Sequence, residues 1–554
     1  MRTEERLSST DGIQLSMVTQ TLPLPDGFPS HPDECDELRH LRIKWADAPD
    51  DPARADAVIV LLPGAIAGAR SLQPLGRNTI RMLGEAGLIA EVWVIDRRAN
   101  GVEDHSAIEV AVAEGDYHLA LDYYYGGRTV GGRQFAGFRP DRELGFLAEF
   151  GMARTVEDVH AVLCREIPDP DVRAEKVFLG GHSLGGIQAG TYAAWDFDGR
   201  PGHEQIAGLI ALDTVTHLDP LRLAARPWLA RSLRPLARGV ERIPAAMRRG
   251  LMPRSTAVLR GGWGNPEAFA LIAAVAVAAV QAPEEETDIL RLLPATGTPS
   301  LVLRGSTART WREFVTGTPD YRKLRLTNQA LLGLVGGAHT SINMGVLSMS
   351  CGVLDSAAVA PRSFPVSYEM GQRPGIRPLY RALCGTGPRY SPTSFDELYR
   401  WRDYDRCGGP DAPRQATRTG IPVATPASEV VSLAELAPML AGGRLNVFED
   451  YFPNRQSLDA AAVFGGCRTG SLAPVRHEAG AARLPYVNLM GESSFTWALT
   501  ELGVYPENTH WFPGYLHCDV AAGADPRADG SPEPIAAALA EFVRAHRPVL
   551  PLAS

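Results

Sequence analysis

The stretch Val177-Phe-Leu-Gly-Gly-His-Ser-Leu-Gly-Gly186 sets four glycines around one serine. An apolar run enters it and a small-residue segment, Ile187–Trp195, leaves it, the pattern of a strand, a tight turn and a helix. The core pattern G-x-S-x-G arises by chance roughly 0.3 times in a chain with this much glycine, so its surroundings decide its meaning. In a tight turn of this kind the serine takes strained backbone angles. A side chain two positions to either side then collides with the neighbouring strand, and Gly181 and Gly185 stand at those two places.

Working outward, Ala57–Leu62 (AVIVLL) is a continuous apolar run ending at Pro63-Gly64, as expected of a strand buried on both faces. Asn78–Gly87 reads as a helix and Ala90–Ile95 as a second buried strand, stopping at Asp96-Arg97-Arg98. Thr155–Arg165 has helical spacing, and Ile206–Leu212 follows the serine segment as the next strand. Strand and helix in this rhythm predict a parallel sheet with helices on both faces. The first sixty residues read as β structure: the turn signal Asp11-Gly12, a mixed strand Ile13–Leu22 and a short strand Leu41–Trp45.

After Asp213 the rhythm is lost until Leu484–Met490 and Thr509–Phe512 restore it, and an amphipathic helix, Pro534–His546, closes the chain. The expected organisation is one α/β core, residues 1–213 and 481–554, interrupted by a cap insertion at 214–480. Within the insertion Asn265-Pro266-Glu267 is a helix-start signal, followed by the almost wholly apolar Ala268–Val280. A helix apolar all round is either deeply buried or covers an apolar pocket. Ser300–Leu303 and Leu331–Val335 read as strand-like.

The 554 residues carry a net charge of −9, spread along the chain, which argues against nucleic acid as a partner. Lysine occurs only at positions 44, 176 and 323, so arginine carries nearly all the positive charge. The N-terminal MRTEERLSSTDG has no apolar segment of the secretory type, and the 13-residue run at 268–280 is too short to span a bilayer. Seven scattered cysteines without a C-x-x-C pair fit a reducing compartment, so the expected location is cytoplasmic.

Taken together, VFLGGHSLGG between strand and helix, with Leu61-Leu-Pro-Gly64 after an earlier strand, resembles the α/β-hydrolase superfamily over roughly residues 10–213 and 480–550. The resemblance implies an α/β-hydrolase fold and a serine nucleophile, Ser183, with no metal or organic cofactor required. It implies oxyanion donors at the backbone N–H of Leu184 and of Ala65, where Pro63 replaces the family's usual histidine. The base belongs on a loop after the last strand, where His517 in Phe512-Pro-Gly-Tyr-Leu-His-Cys-Asp519 fits. Its rival is His339 in Gly336-Gly-Ala-His-Thr340.

The acid is harder to place. Glu492, in Gly491-Glu-Ser-Ser494, is the nearest carboxylate after the penultimate strand. Many relatives carry aspartate where this chain has Ser494. Asp213, after the preceding strand, is the alternative, and either carboxylate could instead be a surface or capping group. The implied function is hydrolysis of a carboxylic ester, with the large insertion suggesting a bulky or apolar substrate. An acyltransferase, thioesterase or amidase on the same fold, or a hydrolase-fold binding protein without catalysis, are the alternatives. His182 is expected as a packing or hydrogen-bonding residue and Cys518 as a buried thiol. His31, Cys35 and His40 match no zinc spacing.

Overall fold

The structure is a computed structural model describing residues 1–216, 239, 242–258, 264–341, 347–384, 387–407, 424–443, 445–494, 496 and 508–547. Its centre is a nine-stranded, mostly parallel sheet flanked by helices. Along the chain the strands are β1 (Arg2–Thr10), β2 (Ile13–Thr21), β3 (Glu37–Trp45), β4 (Ala57–Leu62) and β5 (Ala90–Ile95). They continue with β6 (Val177–His182), β7 (Gly208–Leu212), β8 (Tyr486–Gly491) and β9 (Thr509–Phe512). Across the sheet the order is β1-β2-β3-β5-β4-β6-β7-β8-β9. The first three pair antiparallel with their neighbours, and all pairs from β5 to β9 are parallel.

Alternate side chains of the central strands feed two cores, because successive residues of a strand point to opposite faces. Ile59, Leu61, Val92, Val94, Ile210 and Leu212 belong to one core, together with helices α1 (Gln73–Glu85) and α9 (Pro534–His546). Val58, Val60, Trp93, Leu179, Leu209 and Ala211 belong to the other, under α2 (Met152–Glu166) and α3 (Leu184–Ala193). β4 and β5 are buried at every residue; β4 reads as an unbroken apolar run, and in β5 the buried carboxylate of Glu91 is paired with Arg42.

No described residue between Leu212 and Tyr486 joins the nine-stranded sheet. That interval forms helices and small sheets. α4 (Pro266–Gln281) is capped by Asn265, whose side chain accepts from the Ala268 N–H at 2.9 Å. It is buried over nearly its whole length against α5 (Gly297–Thr307), α6 (Asn328–Gly336) and α7 (Leu433–Leu440), so its all-round apolarity is that of a packed helix. The strand-like readings of 300–303 and 331–335 are corrected here, since both runs lie inside α5 and α6. Apolar runs of four or five residues fit either period, and local signals decide. Thr327 caps α6 by accepting from the Ala330 N–H, and Pro299 occupies the first turn of α5.

The interval is also stitched into the core. α8 (Asn454–Phe464) packs on α2 and α3, and the Gln456 amide donates to Phe150 O, Gly151 O and Thr155 Oγ1. Among the described residues no helix is long and apolar enough to cross a membrane.

Candidate active site

β6 runs into Ser183, and α3 begins at the next residue. Ser183 has φ 54° and ψ −119°, a left-handed conformation that costs a residue with a Cβ about 1–3 kcal/mol and persists only where neighbours enforce it. Its N–H donates to Leu212 O at 3.0 Å, tying the turn to the end of β7. A Cβ on Gly181 would lie 2.6 Å from Leu62 O, and one on Gly185 would run into the same oxygen. The glycines therefore let α3 start directly against the end of β4. The half-buried serine stands at the C-terminal edge of the parallel strands.

β7 ends one residue before Asp213, which has φ 50° and is fully buried. Its carboxylate is the meeting point of four donors. Oδ1 accepts from the Gly491 N–H at 3.0 Å and from Thr496 Oγ1 at 2.8 Å, and Oδ2 accepts from Ser494 Oγ at 2.5 Å. The fourth is His517 Nδ1, in a short contact with Oδ2. In that contact Nδ1 is the donor to the carboxylate, and Nε2 is the other ring nitrogen. The His517 backbone oxygen accepts from His182 Nε2 at 2.9 Å, and the two rings lie 4.4 Å apart. The imidazole of His517 thus packs beside the residue preceding Ser183.

Glu492, the first expectation for the acid, is exposed in the turn after β8, where its backbone N–H donates to Phe512 O at 3.0 Å. The carboxylate on His517 is that of Asp213, the alternative. The reason is visible at Ser494. Where the resemblance led to the expectation of an aspartate, this chain has a hydroxyl that donates to Asp213, so the carboxylate follows β7 and its support comes from the segment after β8. Ser494 and Thr496 were not read as site residues from sequence; the missing aspartate at 494 was the available signal.

The loop after β4 lies against the serine. A Cβ added to Gly64 would meet Ser183 Cβ at 3.2 Å and His182 Nδ1 at 3.0 Å. Pro63-Gly64 is followed by a turn closed by the Ala67 N–H on Gly64 O at 3.3 Å, with half-buried Ala65 and Ile66 at its centre. Ile66 has φ 55°, an outlier for a β-branched side chain. Leu184 is the first residue of α3, so its N–H belongs to the helix donors that have no intrahelical acceptor.

His182 is buried and hydrogen-bonded, and burial, followed by the neighbouring His517, pushes its pKa down to about 3. Cys518 is half-buried, with its thiol held up mainly by desolvation. His339 sits in the interval between β7 and β8, buried, with Nε2 on Glu429 Oε1 at 2.8 Å. Among the described residues no group of histidines, cysteines and carboxylates is arranged to hold a metal ion. A cavity of about 520 Å³ lined by His105, Tyr124, Phe138, Arg139 and Asp450 borders neither Ser183 nor His517.

No family model matches the chain, and no curated protein matches it. Among solved structures it is similar to the peroxisomal α/β-hydrolase Lpx1 from Saccharomyces cerevisiae, at 12% identity over 98% of this chain and 94% of that one, with a TM-score of 0.31. It is similar to a proline iminopeptidase from Mycobacterium smegmatis, at 13% identity over 96% and 98% of the two chains, with a TM-score of 0.27. It is also similar to an S-formylglutathione hydrolase from Agrobacterium tumefaciens, at 16% identity and a TM-score of 0.21. That match covers 39% of this chain and spans 63% of the other, less than two thirds of its length. At such identities an activity does not carry over from one chain to another, and the chemistry of this chain is argued from its own residues.

Proposed function

We propose that the protein is a serine hydrolase of carboxylic esters. Ser183 Oγ attacks the acyl carbon while His517 Nε2 takes its proton, and Asp213 holds the imidazole in the tautomer that leaves Nε2 basic. The N–H groups of Ala65 and Leu184 receive the charge that develops on the carbonyl oxygen. The proton passes from His517 to the leaving alcohol, and a water activated by the same nitrogen releases the acid from Ser183. In this reading Asp213 takes the orienting role first expected of Glu492.

The observation that carries the proposal is the hydrogen bond from His517 Nδ1 to a buried Asp213 carboxylate, with that histidine packed beside the strained turn at Ser183. A buried carboxylate with three further donors keeps one geometry, which a surface or capping group does not need. The length of the insertion supports a bulky or apolar acyl group over acetate.

The test is a series of p-nitrophenyl esters from acetate to dodecanoate. We expect kcat/KM to rise with chain length and to vanish in His517→Ala at every length. A preference for acetate would remove the bulky-substrate part of the proposal. No ester turnover at any length would remove the whole.

A further inference from the structure

The loop that carries Ala65 is clamped from beneath by one buried ion pair. The Arg97 guanidinium donates to Pro63 O at 3.0 Å, and through Nη2 to Gly64 O and Ala67 O, each at 2.7 Å. Its Nε donates to Glu449 Oε2 at 2.7 Å, and its plane lies over Phe452, 5.3 Å from the ring centre. The side chains of Arg97 and Glu449 are 5% and 1% exposed. Three carbonyl oxygens brought close together would repel one another, and a planar cation with several donors offsets that repulsion.

Glu449 also acts through its backbone. Its N–H donates to Ile66 O at 3.0 Å, and the residues before it continue the contact: Phe448 bridges Ala67, Val447 O accepts from the Gly68 N–H, and Asn446 O accepts from the Arg70 N–H. Ile66, the residue with the outlying φ in this loop, is therefore held through its own carbonyl by a segment of the inserted interval, and its flanking residues are held by Arg97.

We propose that Arg97 and Glu449 are positioning residues for the oxyanion site, and that the inserted segment 446–449 is part of the hydrolytic machinery. This rests on the reading of Ala65 as an oxyanion donor. Arg97 holds the carbonyls of residues 63, 64 and 67 so that the amides between them keep one direction, and Glu449 holds Arg97. The pair touches no substrate atom. Its removal lowers stabilisation of the oxyanion while leaving ground-state binding in place. Lysine in place of Arg97 keeps the charge and loses the planar fork, so it recovers only part of the effect.

The experiment compares wild type with Arg97→Met, Arg97→Lys and the milder Glu449→Gln, each checked for folding by circular dichroism. For p-nitrophenyl butyrate, Arg97→Met is expected to lower kcat about a hundredfold with KM changed less than about threefold. The inhibition constant of a trifluoromethyl ketone, whose adduct places an oxyanion in the same site, is expected to rise in parallel. Glu449→Gln and Arg97→Lys fall between these limits. Hydrogen exchange in the peptide spanning residues 62–70 is expected to quicken at least tenfold in Arg97→Met, while the peptide spanning 177–186 is unchanged. The proposal is overturned if folded Arg97→Met keeps a kcat within threefold of wild type, or loses kcat with no change in ketone affinity. Unchanged exchange at 62–70 overturns it whatever the activity. Full turnover in Ser183→Ala, by contrast, marks failure of the underlying functional reading.

Discussion

Ser183 and Ile66 sit in adjacent loops at almost the same backbone angle, φ 54° and 55°, and are held there by different means. The serine turn is enforced by its own neighbours. Gly181 and Gly185 let two strands and a helix approach until no side chain fits, and the residues that permit this lie within five consecutive positions, although the oxygen they clear belongs to Leu62. The Ile66 turn has no such local device. It keeps its conformation through Arg97, thirty-one positions on, and through residues 446–449 of the inserted interval. The residues that permit the first turn form a short motif; those that hold the second are scattered along the chain.

The largest expected effects separate the chemistry from its supports. Replacing Ser183 by alanine should lower kcat for a p-nitrophenyl ester by at least about four orders of magnitude in steady-state assays. Next, Asp213→Asn should cost about 10⁴-fold in kcat by leaving His517 in the wrong tautomer, whereas Glu492→Gln should stay within about twofold. The reverse ranking would return the orienting role to Glu492.

A third pair of variants addresses the two turns directly. Gly185→Ala drives a Cβ into Leu62 O and is expected to cost about 3–5 kcal/mol in chemical denaturation, among the larger effects known for single substitutions. Ile66→Gly removes a half-buried side chain but relieves the left-handed strain, so its stability should remain within about 1 kcal/mol of wild type. If Gly185→Ala proves harmless, the contrast between local and remote constraint breaks down.

The smallest effect concerns His182, at the edge of the serine turn. Burial lowers its folded pKa to about 3, against 6.5 in the unfolded chain. The unfolded state therefore binds the extra proton as pH falls below 6.5, and the stability contribution is lost in that direction while it is constant above. His182→Gln keeps a donor for His517 O, so unfolding should depend less steeply on pH between 4 and 6.5, with kcat/KM lowered no more than about tenfold. A shifted acid limb in the activity profile of this variant would mean that His182 titrates during catalysis.

How much of this was legible in the sequence follows the same division. The runs 57–62 and 90–95 matched their strands to the residue, because strands buried on both faces are dominated by apolar residues, with Glu91 the one charge in the second. Ser183 stood out because its glycines are adjacent to it. The carboxylate behind His517 did not, since choosing between Asp213 and Glu492 requires the relative heights of β7 and β8 and the hydroxyl of Ser494. Short runs such as 331–335 differ for another reason: they carry too few residues to distinguish a period of two from one of 3.6, and the signal that decides is the cap at Thr327. The Arg97–Glu449 pair joins residues 352 positions apart, and no local pattern marks it.

The most direct measurement is covalent labelling of the purified protein with a fluorophosphonate, read by intact mass and peptide mapping. The expected result is a single adduct on Ser183 in the wild type, none in Ser183→Ala, and a markedly slower reaction in Asp213→Asn. An unlabelled wild type, or an adduct that survives in Ser183→Ala, would contradict the assignment of Ser183 as the nucleophile.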